Sequence, residues 1–95
     1  MEVHEIQEAL ERALPYIAVD IQNALKIKAP VDTGRLRNSI KVQVVEGGLE
    51  IFIVDYALFL EFGTNRMRPH PFIRPTFLQK LPGIIKKRIE EQIGA

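Results

Sequence analysis

A three- and four-residue apolar repeat runs through the first quarter of the chain: Val3, Ile6, Leu10, Ala13, Leu14, Ile17, Ile21, Ala24 and Leu25. That spacing lines side chains along one face of a helix and predicts a helix over residues 2–28, about 40 Å long. Pro15 lies inside the repeat, where it removes an amide donor and crowds the preceding turn. Because the apolar phase continues across it, a kink is expected rather than a split. Ala29-Pro30 ends the helix, since a residue before proline is pushed out of helical geometry.

A different period follows. Ile40, Val42 and Val44 alternate with Lys41 and Gln43, and Leu49, Ile51 and Ile53 alternate with Glu50, Phe52 and Val54. Two strands joined across Glu46-Gly47-Gly48 form an antiparallel hairpin, because paired glycines accept the positive backbone angles of a tight turn. The second strand is apolar on both faces and is expected to be covered on both. Tyr56 to Phe62 reads as a short helical turn closed by Gly63, with Tyr56, Phe59 and Leu60 inward and Glu61 at the edge. Thr64 to Pro71 reads as an irregular loop. Pro75 suits a first helical turn, and Phe77, Leu78, Leu81, Ile84, Ile85, Ile89 and Ile93 continue at helical spacing, so residues 75–93 form a second long helix with a kink or break at Pro82-Gly83. The expected fold is α+β: a long kinked helix, a small antiparallel sheet, a short helical turn, and a C-terminal helix packed on the sheet. An isolated two-stranded sheet is marginal in water, so this one wants neighbours: a third strand around Met67 to Ile73, or further copies of the chain.

Ninety-five residues, 46% of them hydrophobic, suffice for one domain over 1–95 with a limited core. No cysteine is present, which excludes disulfides, thiolate metal sites and thiol nucleophiles. No apolar run approaches the roughly 20 residues that cross a bilayer, and the acidic amino terminus does not read as a signal peptide, so no membrane role is expected. The net charge of +1 hides a polarity. Glu2, Glu5, Glu8, Glu11 and Asp20 are set against Arg12 alone, whereas Lys26, Lys28, Arg35, Arg37 and Lys41 are set against Asp32 alone, and the basic trend resumes from Arg66 to Arg88. Each charge read singly is a solvated surface group; read together, they could stack an acidic surface on a basic one between subunits.

Few residues carry a signal for chemistry. His4 and His70 stand in no metal-ligand spacing, and no cofactor is implied. Glu61 and Asp55 could form an acid and base pair with Arg68 as anion stabiliser, but no activated nucleophile or phosphate-cradling loop accompanies them, so no catalytic residue is assigned. Glu61 reads instead as an acceptor for backbone amides or for an arginine across a turn. Asp32-Thr33-Gly34 is a turn by its chemistry. Arg35 and Arg37 beside it, with Arg66, Met67, Arg68 and His70 in the loop, are the candidate contacts to a neighbouring subunit or partner. Prolines limit the entropy lost when such a loop docks, and arginines offer directional donors. Phe72 is read as a core plug.

Two dense segments, Ala29-Pro30-Val31-Asp32-Thr33-Gly34-Arg35-Leu36 and Tyr56 to Thr64 running into Arg68-Pro69-His70-Pro71-Phe72-Ile73-Arg74-Pro75, carry a family resemblance. In order they hold Pro30, Asp32, Thr33, Gly34 and Leu36, then Tyr56, Glu61, Phe62, Gly63 and Thr64, then Pro71, Phe72 and Pro75, across roughly residues 20–80. The chain resembles the small tail-completion or minor-tail-component proteins of long-tailed double-stranded DNA bacteriophages and prophages, the gene-product-ten-like family of the Hong-Kong-ninety-seven type. The resemblance implies structural roles for those motif residues and a structural pairing for Glu61. It further implies a non-enzymatic virion protein of the neck or tail, assembled in the host cytoplasm. Such a protein completes the tail or joins it to the head through a ring, with sixfold symmetry the usual expectation. The implied partners are further copies of the chain, the head connector or stopper, and the tail terminator or tail tube. Arginines facing a lumen would touch the phosphates of passing genomic DNA without reading sequence. A nucleic-acid-binding module is the competing reading, weakened by the near-neutral charge and the lack of stacking aromatics in RNA-binding spacing.

Overall fold

The computed structural model describes residues 2–30 and 34–94. Within them the order is α1 (Val3–Lys28), α2 (Arg35–Ser39), β1 (Lys41–Val45), β2 (Gly48–Phe52), α3 (Ala57–Phe62) and α4 (Ile73–Gly94). The α+β class read from the sequence holds; α2 is the element that the periodicities did not reveal.

The first helix is uninterrupted at Pro15. Proline frees the carbonyl of the residue four before it, here Glu11, and both Glu11 and Pro15 are exposed, so water can satisfy that group. On the inward side Ala9, Ala13, Ile17, Ile21 and Leu25 are buried at four-residue steps. Each such step advances about 40° beyond a full turn, so the buried stripe winds around the helix and needs cover from more than one direction. β1 and α4 supply it. Ile17, Ile21 and Leu25, all but inaccessible to solvent, contribute about 1.5–3 kcal/mol each by leaving water.

The hairpin pairs Val42 with Ile51 and Val44 with Leu49, which sets those four on one face, and Val45 with Gly48 at the tip. Gly47 turns the chain at φ +88°, an angle closed to most side chains. The hairpin lies along α1: the amide of Val42 donates to Gln22 Oε1 at 2.9 Å, and Gly47 and Gly48 line a cleft with Gln7, Leu10, Glu11 and Leu14. Gln22 thereby takes up a main-chain donor of β1. The expected coverage of β2 on both faces is not seen: Phe52, on the face turned from α1, is exposed, and so is Val45 of β1. Nor do residues 67–73 supply a third strand; the sheet among the described residues has two.

From the Gln22 level the chain passes through Val54, whose amide donates to Ser39 Oγ at 3.1 Å, into α3. α4 then starts beside α3 and runs back along α1, so that Arg88 reaches Asp20. It begins at Ile73, two residues earlier than expected, and of the kink or break expected at Pro82-Gly83 the break does not occur, for the reason that applies at Pro15: the carbonyl freed by Pro82 belongs to exposed Leu78. Its packing also refines the expected seat on the sheet, because the contacts of α4 go chiefly to α1. The lock between the two helices is bidentate: Arg88 Nε and the second guanidinium nitrogen donate to the two Asp20 oxygens at 2.6 and 2.9 Å. The guanidinium also lies 5.5 Å from the Tyr16 ring centre and 3.3 Å from Glu91. Hydrogen bonding to Arg88, against the opposing effect of burial, holds the Asp20 carboxyl below its ordinary value, and Arg88 is held still more firmly protonated.

The result is elongated, 52 × 21 × 20 Å, with a radius of gyration of 15.4 Å. A compact chain of this length would have about 12 Å. Among the described residues no helix is long and apolar enough to cross a membrane.

Candidate functional site

The segment from α3 to the first turn of α4 reverses the burial that its composition suggests. Ala57 and Glu61, one turn apart on α3, face the core, and Glu61 is 2% exposed. Leu58, Phe59 and Phe62 point outward. This corrects two expectations: Glu61 is not at the edge, and Phe59 is not inward.

The cause lies in what Glu61 meets. Its Oε1 accepts the amides of Phe72 at 2.9 Å and Ile73 at 2.8 Å, and its Oε2 accepts the amide of Arg74 at 2.9 Å. The first amides of a helix have no partner within it and carry partial positive charge, so a carboxylate from elsewhere in the fold can cap them. Glu61 thus closes the amino end of α4 from 11 to 13 residues away. Arg74 Nε adds an ion pair at 3.5 Å while its guanidinium lies 5.3 Å from the centre of the Phe62 ring. Burial pushes the Glu61 carboxyl up, but the three amides and Arg74 together outweigh it and hold the group below its ordinary value of 4.5. Both Glu61 oxygens are thus engaged by main-chain donors, which makes the carboxylate a cap for α4.

Gly63 makes this closure possible. It ends α3 by donating its amide to Phe59 O at 2.7 Å and sits at φ +76°, ψ 178°, a combination nearly confined to glycine. A Cβ there would stand 2.9 Å from Met67 O, Pro69 N and Pro69 Cδ. The loop that follows is strapped down: the Thr64 and Met67 amides and carbonyls bond reciprocally at 2.9 and 3.3 Å, Thr64 Oγ1 accepts the Arg66 amide at 3.2 Å, and the His70 amide donates to Leu60 O at 2.6 Å. Arg66, Arg68, His70 and Pro71 are left exposed, and Met67 half-buried. Phe72 plugs the core, and Thr76 Oγ1 donates to its carbonyl at 2.6 Å. Pro75 lies half-buried in the first turn of α4.

The other motif segment is described in part. Asp32 and Thr33 lie outside the described residues. Pro30 is half-buried beyond the end of α1, Gly34 precedes α2 at φ +81°, and Leu36 enters the core. Arg37 Nε donates to Lys26 O at 3.0 Å, taking one of the carbonyls that the end of α1 leaves open. Arg35 lies 5.6 Å from the centre of the Tyr56 ring, just before α3. The structure therefore gathers Arg35, Tyr56, Phe62, the loop arginines and Arg74 around α3. His4 stands apart on α1, with Nδ1 3.2 Å from Glu2 Oε2. Among the described residues no group of three or more His, Asp or Glu is placed to hold a metal ion.

Sequence reasoning missed the outward aromatic face of α3, the burial of Glu61 and the Asp20–Arg88 lock. The signal available for the first two was that Ala57 and Glu61 share a helical face from which every aromatic residue is missing.

Comparison with curated proteins found no match, and comparison with solved structures found none. A family model does match: over residues 1–63, from α1 through the glycine that ends α3, the sequence fits the HK97-gp10-like model, described as the bacteriophage HK97-gp10 tail component. The chain belongs to the bacteriophage HK97-gp10-like family of tail components.

Proposed function

We propose that this protein is a non-enzymatic part of the virion that completes the tail, or joins it to the head connector, as an oligomeric ring. In this reading residues 1–95 act as one domain, and the ring has axial neighbours on both sides: a connector or stopper toward the head, and a terminator or tube protein toward the tail. The observation that carries the reading is the disposition of apolar surface. An elongated protomer keeps a thin core while Val3, Ile6, Leu58, Phe59 and Phe62 stay in water. Exposed apolar surface of this kind marks sites of association.

The exposed loop bearing Arg66, Arg68 and His70, with Arg35 and Arg37, is the assigned partner-facing surface. If the ring encloses the genome, these cations also meet phosphate oxygens without sequence preference. Light scattering over a concentration series, with negative-stain imaging of the same sample, tests the proposal. Closed rings are expected. A monomer at every concentration, together with a phage that assembles normally without the protein, would overturn it.

A further inference from the structure

We propose that the amino-terminal end of α1 in one copy docks on the outward face of α3 in the next, which makes the junction between protomers head-to-tail. The inference rests on the ring reading above and supplies its contact.

Every residue from Glu2 to Glu8 is exposed. On this helix end Val3, Ile6 and Leu10 form a continuous apolar stripe at three- and four-residue steps, with exposures of 81, 44 and 37%. Two turns of helix with an uncovered apolar stripe gain little stability alone, so the end calls for an occupant. Glu2 and Glu11 border the stripe on its two sides, while Glu5 and Glu8 stand on the back of the helix, where Arg12 reaches Glu8 at 4.0 Å; together they make this end acidic.

The opposite surface has matching character. Leu58, Phe59 and Phe62 share the outer side of α3 at 58, 56 and 61% exposure, because Ala57 and Glu61 occupy the inner side. Cations frame them: Arg74 over Phe62, Arg35 over Tyr56, and exposed Arg66 and Arg68 in the loop that follows. Asp55 is the one exposed acid in this stretch, since Glu61 is buried. An acidic helix end with an apolar stripe thus meets an aromatic patch with a basic rim. Aromatic anchors surrounded by opposite charge are the usual composition of a specific interface.

Geometry excludes closure of the contact within one chain. The hairpin tip lies beside Leu10 and Leu14, α3 follows the return strand past Gln22, and Glu61 fixes α3 to the start of α4. The acidic stripe and the aromatic patch therefore occupy opposite ends of a molecule 52 Å long. A contact between unlike surfaces of identical chains propagates, and closes into a ring when the rotation permits.

The test uses two variants, Ile6→Glu and Phe59→Glu, each at an exposed position, with circular dichroism to confirm the fold. Sedimentation velocity on wild type, each variant and their equimolar mixture is the measurement. Wild type is expected to form multimers, and each variant to dissociate with affinity weakened by ~30-fold or more. The mixture is expected to give a one-to-one dimer, because Phe59→Glu keeps its helix end and Ile6→Glu keeps its aromatic patch. If either variant retains the wild-type mass, the junction lies elsewhere and the ring reading survives without it. A mixture that stays monomeric also overturns the head-to-tail arrangement. A wild type that is monomeric throughout overturns the head-to-tail junction, and the ring reading falls with it when the phage also assembles normally without the protein. Should a glutamate variant unfold, the pairs Glu2→Lys with Glu11→Lys, which border the stripe, and Arg66→Glu with Arg68→Glu carry the same logic: each weakens association, and mixing restores it.

Discussion

Glu61→Gln keeps the size of the side chain while removing its charge and one acceptor oxygen, which makes it the sharpest probe of the fold. Three amides converge on this carboxylate: Phe72 and Ile73 on one oxygen, Arg74 on the other. A glutamine can satisfy one side only; its NH2 group then confronts an amide that also donates. Losing the charge weakens the remaining bonds by about 1 kcal/mol in all, and an unsatisfied buried donor costs about 1–3 kcal/mol. Relief from desolvating a carboxylate returns part of this, so the expected loss is about 2–3 kcal/mol. For a domain of this size that lowers Tm by roughly 10–20 °C. With no tryptophan in the chain, helical circular dichroism in a urea titration is the suitable probe. The pH dependence has a definite sign. The Glu61 carboxyl is held below 4.5, so its stabilisation is complete above that value and is lost as pH falls through the lowered one. Glutamine does not titrate, and Asp20 titrates alike in both proteins. The gap between wild type and Glu61→Gln is therefore constant above about pH 4.5 and narrows below it. A loss under ~0.5 kcal/mol, or a gap indifferent to acid, would refute the capping role.

Gly63→Ala is expected to destabilise by about 3 kcal/mol or more in the same titration, since strain at a positive φ adds to a Cβ pressed against the Met67 carbonyl and Pro69. Gly83→Ala should act in the opposite sense, stabilising by about 0.5–1 kcal/mol, because Gly83 is helical with open space where a Cβ would stand. Asp20→Asn should cost about 1–2 kcal/mol by loosening α4 from α1, and hydrogen exchange should quicken in α4 before it does in β1.

The elements with a single dominant period were legible in the sequence. The apolar repeat from Val3 to Leu25, the alternation around Gly47-Gly48 and the repeat from Phe77 to Ile93 each admit one secondary structure, because backbone geometry fixes where a side chain points. The family, too, was readable from short ordered motifs around Gly34 and Gly63, since turn geometry restricts the residues allowed there. Which side of each element meets the core was a different matter. α3 offers Leu58, Phe59, Leu60 and Phe62 to any partner, and hydrophobicity alone would bury the aromatics. The structure instead turns Glu61 inward, because three unpaired amides at the start of α4 stand where only a carboxylate could answer them. Those amides belong to residues that sequence spacing cannot bring to Glu61. Likewise Asp20 and Arg88, 68 positions apart, read separately as solvated charges, and only the return of α4 along α1 makes them a pair. Local periodicity determined the elements; the satisfaction of polar groups between distant segments decided which faces remained in water for other copies to meet.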